Sequence, residues 1–88
     1  MFTVYVLQSN KDGQLYIGMT GNLKRRLRQH DSGQQRSTRL HLPYRLIYTE
    51  EVTTRAEARE RERYLKSGIG REFVKNLPGW RNWQTQRT

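Results

Sequence analysis

The sequence predicts an α/β fold of the α+β kind: a small three-stranded, mostly antiparallel sheet flanked by helices, in the order β-β-α-β-α with a short C-terminal helix. Three observations predict it. Residues 2–7 (FTVYVL) and 15–17 (LYI) are aromatic and apolar runs separated by polar residues that include the turn pair Asp12-Gly13. Two later stretches carry helical spacing behind capping residues, and between them lies one more strand-like run at 45–52. At 88 residues and 33% hydrophobic content the chain has material for one small core.

The first two strands form a hairpin. A loop of two or four residues makes paired positions sum to an odd number, and side chains alternate with period two, so Tyr5 and Tyr16 share a sheet face. Such a pair is either an aromatic cover for the sheet or part of a site. After Gly18 to Gly21 breaks the strand, Thr20 or Asn22 can cap a helix over residues 23–30. There Leu23, Arg26, Leu27 and His30 stand at i, i+3, i+4 and i+7, so an arginine and a histidine lie on the apolar stripe. Arg26 must either snorkel to water or meet an anion.

Residues 31–42 read as a basic surface loop holding Arg36 and Arg39, with His41 near its end. A third strand follows at 45–52. Thr54 and Glu57 make a capping box for a second helix that should stop near Gly68. On it Ala58, Leu65 and Ile69 mark an apolar stripe whose i+4 place is taken by Glu62. That carboxylate either pairs with Lys66 one turn on or holds a cation. A short helix is expected at 71–77, closing a domain at 1–78, and Pro78-Gly79 leads into a basic tail at 79–88 with Trp80 and Trp83.

Seventeen Lys and Arg against eight Asp and Glu, with a pI near 10.7, point to a polyanionic partner, foremost nucleic acid. With no cysteine and two histidines, disulfides, thiolate zinc and imidazole-rich metal clusters are excluded, so any metal would be hard and carboxylate-bound. The N-terminal apolar run is too short for a signal segment and no run reaches membrane-spanning length, so a soluble, cytoplasmic protein with no membrane partner is expected.

VYV at 4–6 followed by YIG at 16–18 resembles the two signatures of the GIY-YIG nuclease superfamily, the first in degenerate form. Arg26 falls ten residues after Tyr16 as in the family pattern, His30 follows one turn later, and Glu62 sits in a later helix. The strings LYIGMTGNLKRRLRQHDSG and EARERERYLKSG are most similar to the small single-domain bacterial group related to Slx-type structure-selective endonucleases. Where some relatives carry a lysine this chain has Met19, and Val74 stands where others place an asparagine.

The resemblance implies the GIY-YIG fold and a metal-dependent DNA endonuclease that hydrolyses phosphodiester bonds, structure-selective and linked to DNA repair or recombination. The alternative is a non-catalytic DNA- or RNA-binding module on the same fold. Tyr5 would orient or deprotonate water and Tyr16 position the phosphate, with the two roles exchangeable. Arg26 would bind the scissile phosphate, His30 would hydrogen-bond a tyrosine or phosphate, and Glu62 would hold one divalent ion, Mg2+ or alternatively Mn2+. Lys24, Arg25, Arg28, Arg36 and Arg39 would grip backbone phosphates of DNA. A recruiting protein and the oligomeric state stay open.

Overall fold

The computed structural model describes residues 1–34 and 39–81. It contains β1 (Phe2–Ser9), β2 (Leu15–Thr20), α1 (Leu23–Asp31), β3 (Tyr44–Val52), α2 (Arg55–Lys66) and α3 (Gly68–Lys75). The sheet has three strands in the order β2-β1-β3 and is antiparallel throughout. The expected fold class is the observed one.

β1 is central because it can be covered on both faces, and it is buried from Val4 to Ser9. Val4 and Val6 point to one side, where Ile17 of β2 and Ala58, Leu65 and Val74 of the last two helices complete the core. Leu65, Val74 and Ala58 have no exposed surface, and a fully buried Leu or Val contributes about 1.5–3 kcal/mol. Val74 is therefore a packing residue. Tyr5 and Leu7 point to the other side of the sheet.

The β1–β2 register pairs Tyr5 with Gly18 and Leu7 with Tyr16, sums that are odd as the hairpin argument requires. Ser9 N–H donates to Gln14 O at 2.8 Å and closes the loop, while Ser9 Oγ accepts from the N–H groups of Lys11 and Asp12. Between Val6 and Leu7 the β1–β3 ladder shifts by one residue. This β-bulge reverses the facing of β3 beyond it: Tyr48 stays on the helix-packed side, whereas Tyr44 turns to the side of Tyr5.

Caps set the helix boundaries. Asn22 is the N-cap of α1, its side chain accepting from Arg25 N, and Thr20 Oγ1 accepts in turn from Asn22 N–H at 3.0 Å. The capping box at Thr54 and Glu57 is formed. α2 stops near Gly68 as expected, whereas the start of α3 differs. α2 ends at Lys66, and Ser67 is both its C-cap and the N-cap of α3, so the chain turns before Gly68 and α3 starts three residues earlier than 71. Ile69 is 74% exposed and does not extend the stripe of Ala58 and Leu65, because that turn restarts the helical phase. Gly70 is the glycine the junction needs: a Cβ there would lie 1.9 Å from the carbonyl oxygen of Tyr64.

Past Pro78 the described chain stays on the domain. Trp80 packs against the core, Arg45 Nη2 donates to Gly79 O, and the buried Gln8 side chain pairs with Arg81 by accepting from its N–H and donating to its C=O, both at 2.8 Å. Trp83 lies outside the described residues. No helix among the described residues is long and apolar enough to cross a membrane.

Candidate active site

The site is built where the sheet face of Tyr5 meets α1. Tyr5, 1% exposed, reaches over Gly18 on the neighbouring strand, and Gly18 makes room for it: a Cβ at Gly18 would sit 2.7 Å from Tyr5 Oη and 3.0 Å from a ring carbon of Tyr16. α1 drops His30 onto the two tyrosines. Tyr5 Oη and His30 Nε2 are 3.0 Å apart in a hydrogen bond, with Tyr5 donating when the imidazole proton is on Nδ1 and His30 donating when it is on Nε2. The Tyr16 ring lies 5.0 Å from His30 and 6.2 Å from Tyr5, centre to centre.

Electrostatics bind the remaining two predicted residues to this cluster. Burial pushes the Tyr5 phenol well above its ordinary range, and Tyr16 and Glu62 add to the effect while Arg26 works against it. Both charged groups are thus within electrostatic reach of Tyr5. His30 is moved the other way: burial and the Arg26 guanidinium lower its pKa, Asp31 partly opposing them, so the imidazole is neutral at pH 7. A neutral imidazole bonded to a protonated phenol is a pair that can pass a proton.

Arg26 is half-buried at the wall of an open groove of about 270 Å³, lined also by Thr20, Gly21, Asn22, Arg25 and Gln29. Beside it a second groove of about 520 Å³ is lined by Arg25, Arg28, Gln29, Asp31, Ser32 and Gln34. Lys24, Arg25 and Arg28 are exposed on α1, and Arg39 is exposed with its stem against Gly33. Arg36 lies outside the described residues.

Glu62 is half-buried on α2, and Lys66 Nζ donates to its Oε2 at 3.0 Å. Its Oε1 has no hydrogen bond among the described residues. No three His, Asp or Glu side chains gather among them, so an ion held by Glu62 would draw its other ligands from water and phosphate oxygens. A hard carboxylate oxygen fits a hard divalent cation of this kind.

Two residues were not legible from spacing. Tyr44 enters the cluster, 6.5 Å from His30 centre to centre, because the bulge turns it there; burial raises its phenol pKa, with Asp12 and Tyr16 adding. His41 holds the loop that precedes β3: its Nδ1 lies 2.5 Å from Asp12 Oδ2, and its carbonyl accepts from Ser9 Oγ. The hairpin parity rule gives no access to either.

The GIY-YIG catalytic domain is the family whose model matches, over residues 1–73. A UPF0213 protein of Bacillus licheniformis is 44% identical over 63 residues, 70% of this chain, and the match spans 64% of that relative's length. One from Streptococcus agalactiae is 41% identical over 64 residues, covering 72% of each chain. The solution structure of a UPF0213 protein from Bacillus halodurans matches with a TM-score of 0.54 at 34% identity, over 90% of this chain and 87% of that one. The matched domain suggests nuclease-type chemistry on nucleic acid. By its signature residues, its β-β-α-β-α-α order and these likenesses, the chain belongs to the GIY-YIG family, alongside its UPF0213 members.

Proposed function

We propose that this chain is a metal-dependent DNA endonuclease that hydrolyses phosphodiester bonds, selects its substrate by structure as Slx-type enzymes do, and serves DNA repair or recombination. The observation that carries the reading is the buried Tyr5–His30 hydrogen bond beside Tyr16, with Arg26 and Glu62 in electrostatic reach of it.

A phenol held above its ordinary pKa is a poor base alone, so the proton needs somewhere to go. His30 supplies the place: with its proton on Nδ1, Nε2 accepts the Tyr5 proton as Tyr5 Oη takes one from the attacking water. The new bond joins water oxygen to phosphorus, the bond from phosphorus to the leaving oxygen breaks, and that oxygen is protonated from solvent. Tyr16 orients the phosphate against this dyad. Arg26, open to its groove, offers its planar guanidinium fork to two non-bridging oxygens as charge builds on them. Glu62 would hold Mg2+ or Mn2+, which when bound supplies positive charge at the leaving oxygen. Lys24, Arg25, Arg28, Arg36 and Arg39 hold flanking phosphates without reading sequence.

One observation favours a second reading, a DNA- or RNA-binding module without catalysis: the Lys66 ammonium on Glu62. The test is cleavage of a panel of branched and linear DNAs in Mg2+ by the parent and by Glu62→Gln. Endonuclease function predicts cutting by the parent and collapse in the variant, with binding to DNA kept in both. A parent that binds every substrate and cuts none establishes the binding module. Cutting by Glu62→Gln with ordinary Mg2+ dependence removes Glu62 as the metal ligand.

A further inference from the structure

α2 carries a second row of cations that the site does not use. Arg55, Arg59 and Arg63 repeat at i, i+4 and i+8 and are exposed. Each step turns about 40° and climbs about 6 Å, so the three guanidinium groups share one side of the helix. Glu62 and Lys66 lie on the same arc, which places the row next to the carboxylate of the candidate site rather than behind it.

The helix treats its arginines in two ways. Arg61 is consumed: its Nε donates to Glu50 Oε2 at 2.5 Å, its Nη2 to Oε1 at 3.2 Å, and its guanidinium lies 4.8 Å over the Tyr64 ring. Arg59 and Arg63 make no ion pair among the described residues. Of the nearby carboxylates, Glu57 accepts from the N–H groups of Thr53 and Thr54 and Glu62 accepts from Lys66, which leaves Glu60 against three arginines. Like charges at i and i+4 repel, so this row is a standing cost that an anion would relieve.

The row also connects to α1. Arg55 lies 5.1 Å over the Phe2 ring, and a Cβ at Gly21 would lie 3.8 Å from that same ring. Gly21 lines the groove that holds Arg25 and Arg26. Gly21 and Phe2 therefore join the Arg26 groove to α2 at the end of the sheet, beside a groove that Glu50 and Glu51 also line.

We propose that Arg55, Arg59 and Arg63 form a second phosphate-binding surface, continuous with the Arg25–Arg26 groove, that holds the DNA backbone beyond the reacting phosphate. The proposal rests on the DNA reading above. The step of about 6 Å between successive arginines is close to the axial rise of two phosphates on one strand, roughly 7 Å, so the row can follow one strand.

The experiment is the salt dependence of binding to a fluorescein-labelled linear DNA duplex, with melting followed by circular dichroism. The double variant Arg59→Gln/Arg63→Gln should flatten the log-log salt slope by about 1.8, two contacts at about 0.9 each, and Arg25→Gln/Arg28→Gln should do the same from α1. Arg59→Lys/Arg63→Lys should keep the parent slope. If the α1 pair flattens the slope and the α2 glutamine pair leaves it unchanged, the second surface is wrong and the DNA reading stands. A parent with no salt dependence overturns both. If the lysine pair falls as far as the glutamine pair, charge is not what α2 supplies and the proposal fails.

Discussion

The two faces of β1 divide the labour of this small domain. On one, Val4 and Val6 meet Ile17, Ala58, Leu65 and Val74, with no ionisable group in the cluster. On the other, one residue along the same strand, Tyr5 meets Tyr16, Gly18 and His30, and each large side chain brings a polar tip. Alternation with period two lets eight residues of strand serve both ends. The apolar face accounts for stability. The aromatic face is held in place by it and can therefore afford buried hydroxyl and imidazole groups that are costly unless bonded to each other. Substitutions on the two faces should consequently separate melting temperature from activity.

The largest stability effect is expected from Leu65→Ala. It empties the centre of the helix-packed face and should cost about 2–5 kcal/mol, a large share of what so small a domain has, without touching a site residue. At a temperature where the variant is still folded, cleavage per folded molecule should match the parent. A variant that melts normally would show that the apolar face does not carry the fold.

Gly18→Ala probes the boundary between the faces. Its methyl would enter the space of Tyr5 Oη and push the two tyrosines off His30. Overpacking of this sort costs about 1–3 kcal/mol, while cleavage should fall far more than stability does. Wild-type cleavage by this variant would mean that the close fit of Tyr5 against Gly18 has no part in the reaction.

The legibility of the two faces also differs. The meeting of Tyr5 with Tyr16 is legible in the sequence, because hairpin parity depends only on an even loop and on period-two alternation. The capping box at Thr54 and Glu57 was equally local. What escaped was whatever depends on the third strand or on a chain reversal. The bulge between Val6 and Leu7 re-aims Tyr44, and no residue pattern announces an extra residue in a ladder formed with a strand far along the chain. The stop near Gly68 is legible by composition, but not that Ser67 makes the turn and Gly70 the contact, since the deciding quantity is the distance from one glycine to the carbonyl of Tyr64. Likewise Asp12 and His41 meet only once the loop before β3 lies on the hairpin, a proximity with no sequence period. Arg26 and Glu62 were suspicious as charges on apolar stripes; their common reach to Tyr5 required the fold.

The most direct test of the account is single-turnover cleavage by Tyr5→Phe, with thermal melting on the same protein. The substitution keeps the ring that fills the space over Gly18 and removes only the hydroxyl bonded to His30. Removing one partner of a buried hydrogen bond should cost about 1–3 kcal/mol of stability. Loss of the group that takes the proton from water should slow cleavage by about 10²–10⁴ while DNA binding stays near the parent value. A Tyr5→Phe protein that cuts DNA at the parental rate would contradict the account, because the Tyr5–His30 pair would then be one more piece of packing on the second face of the sheet.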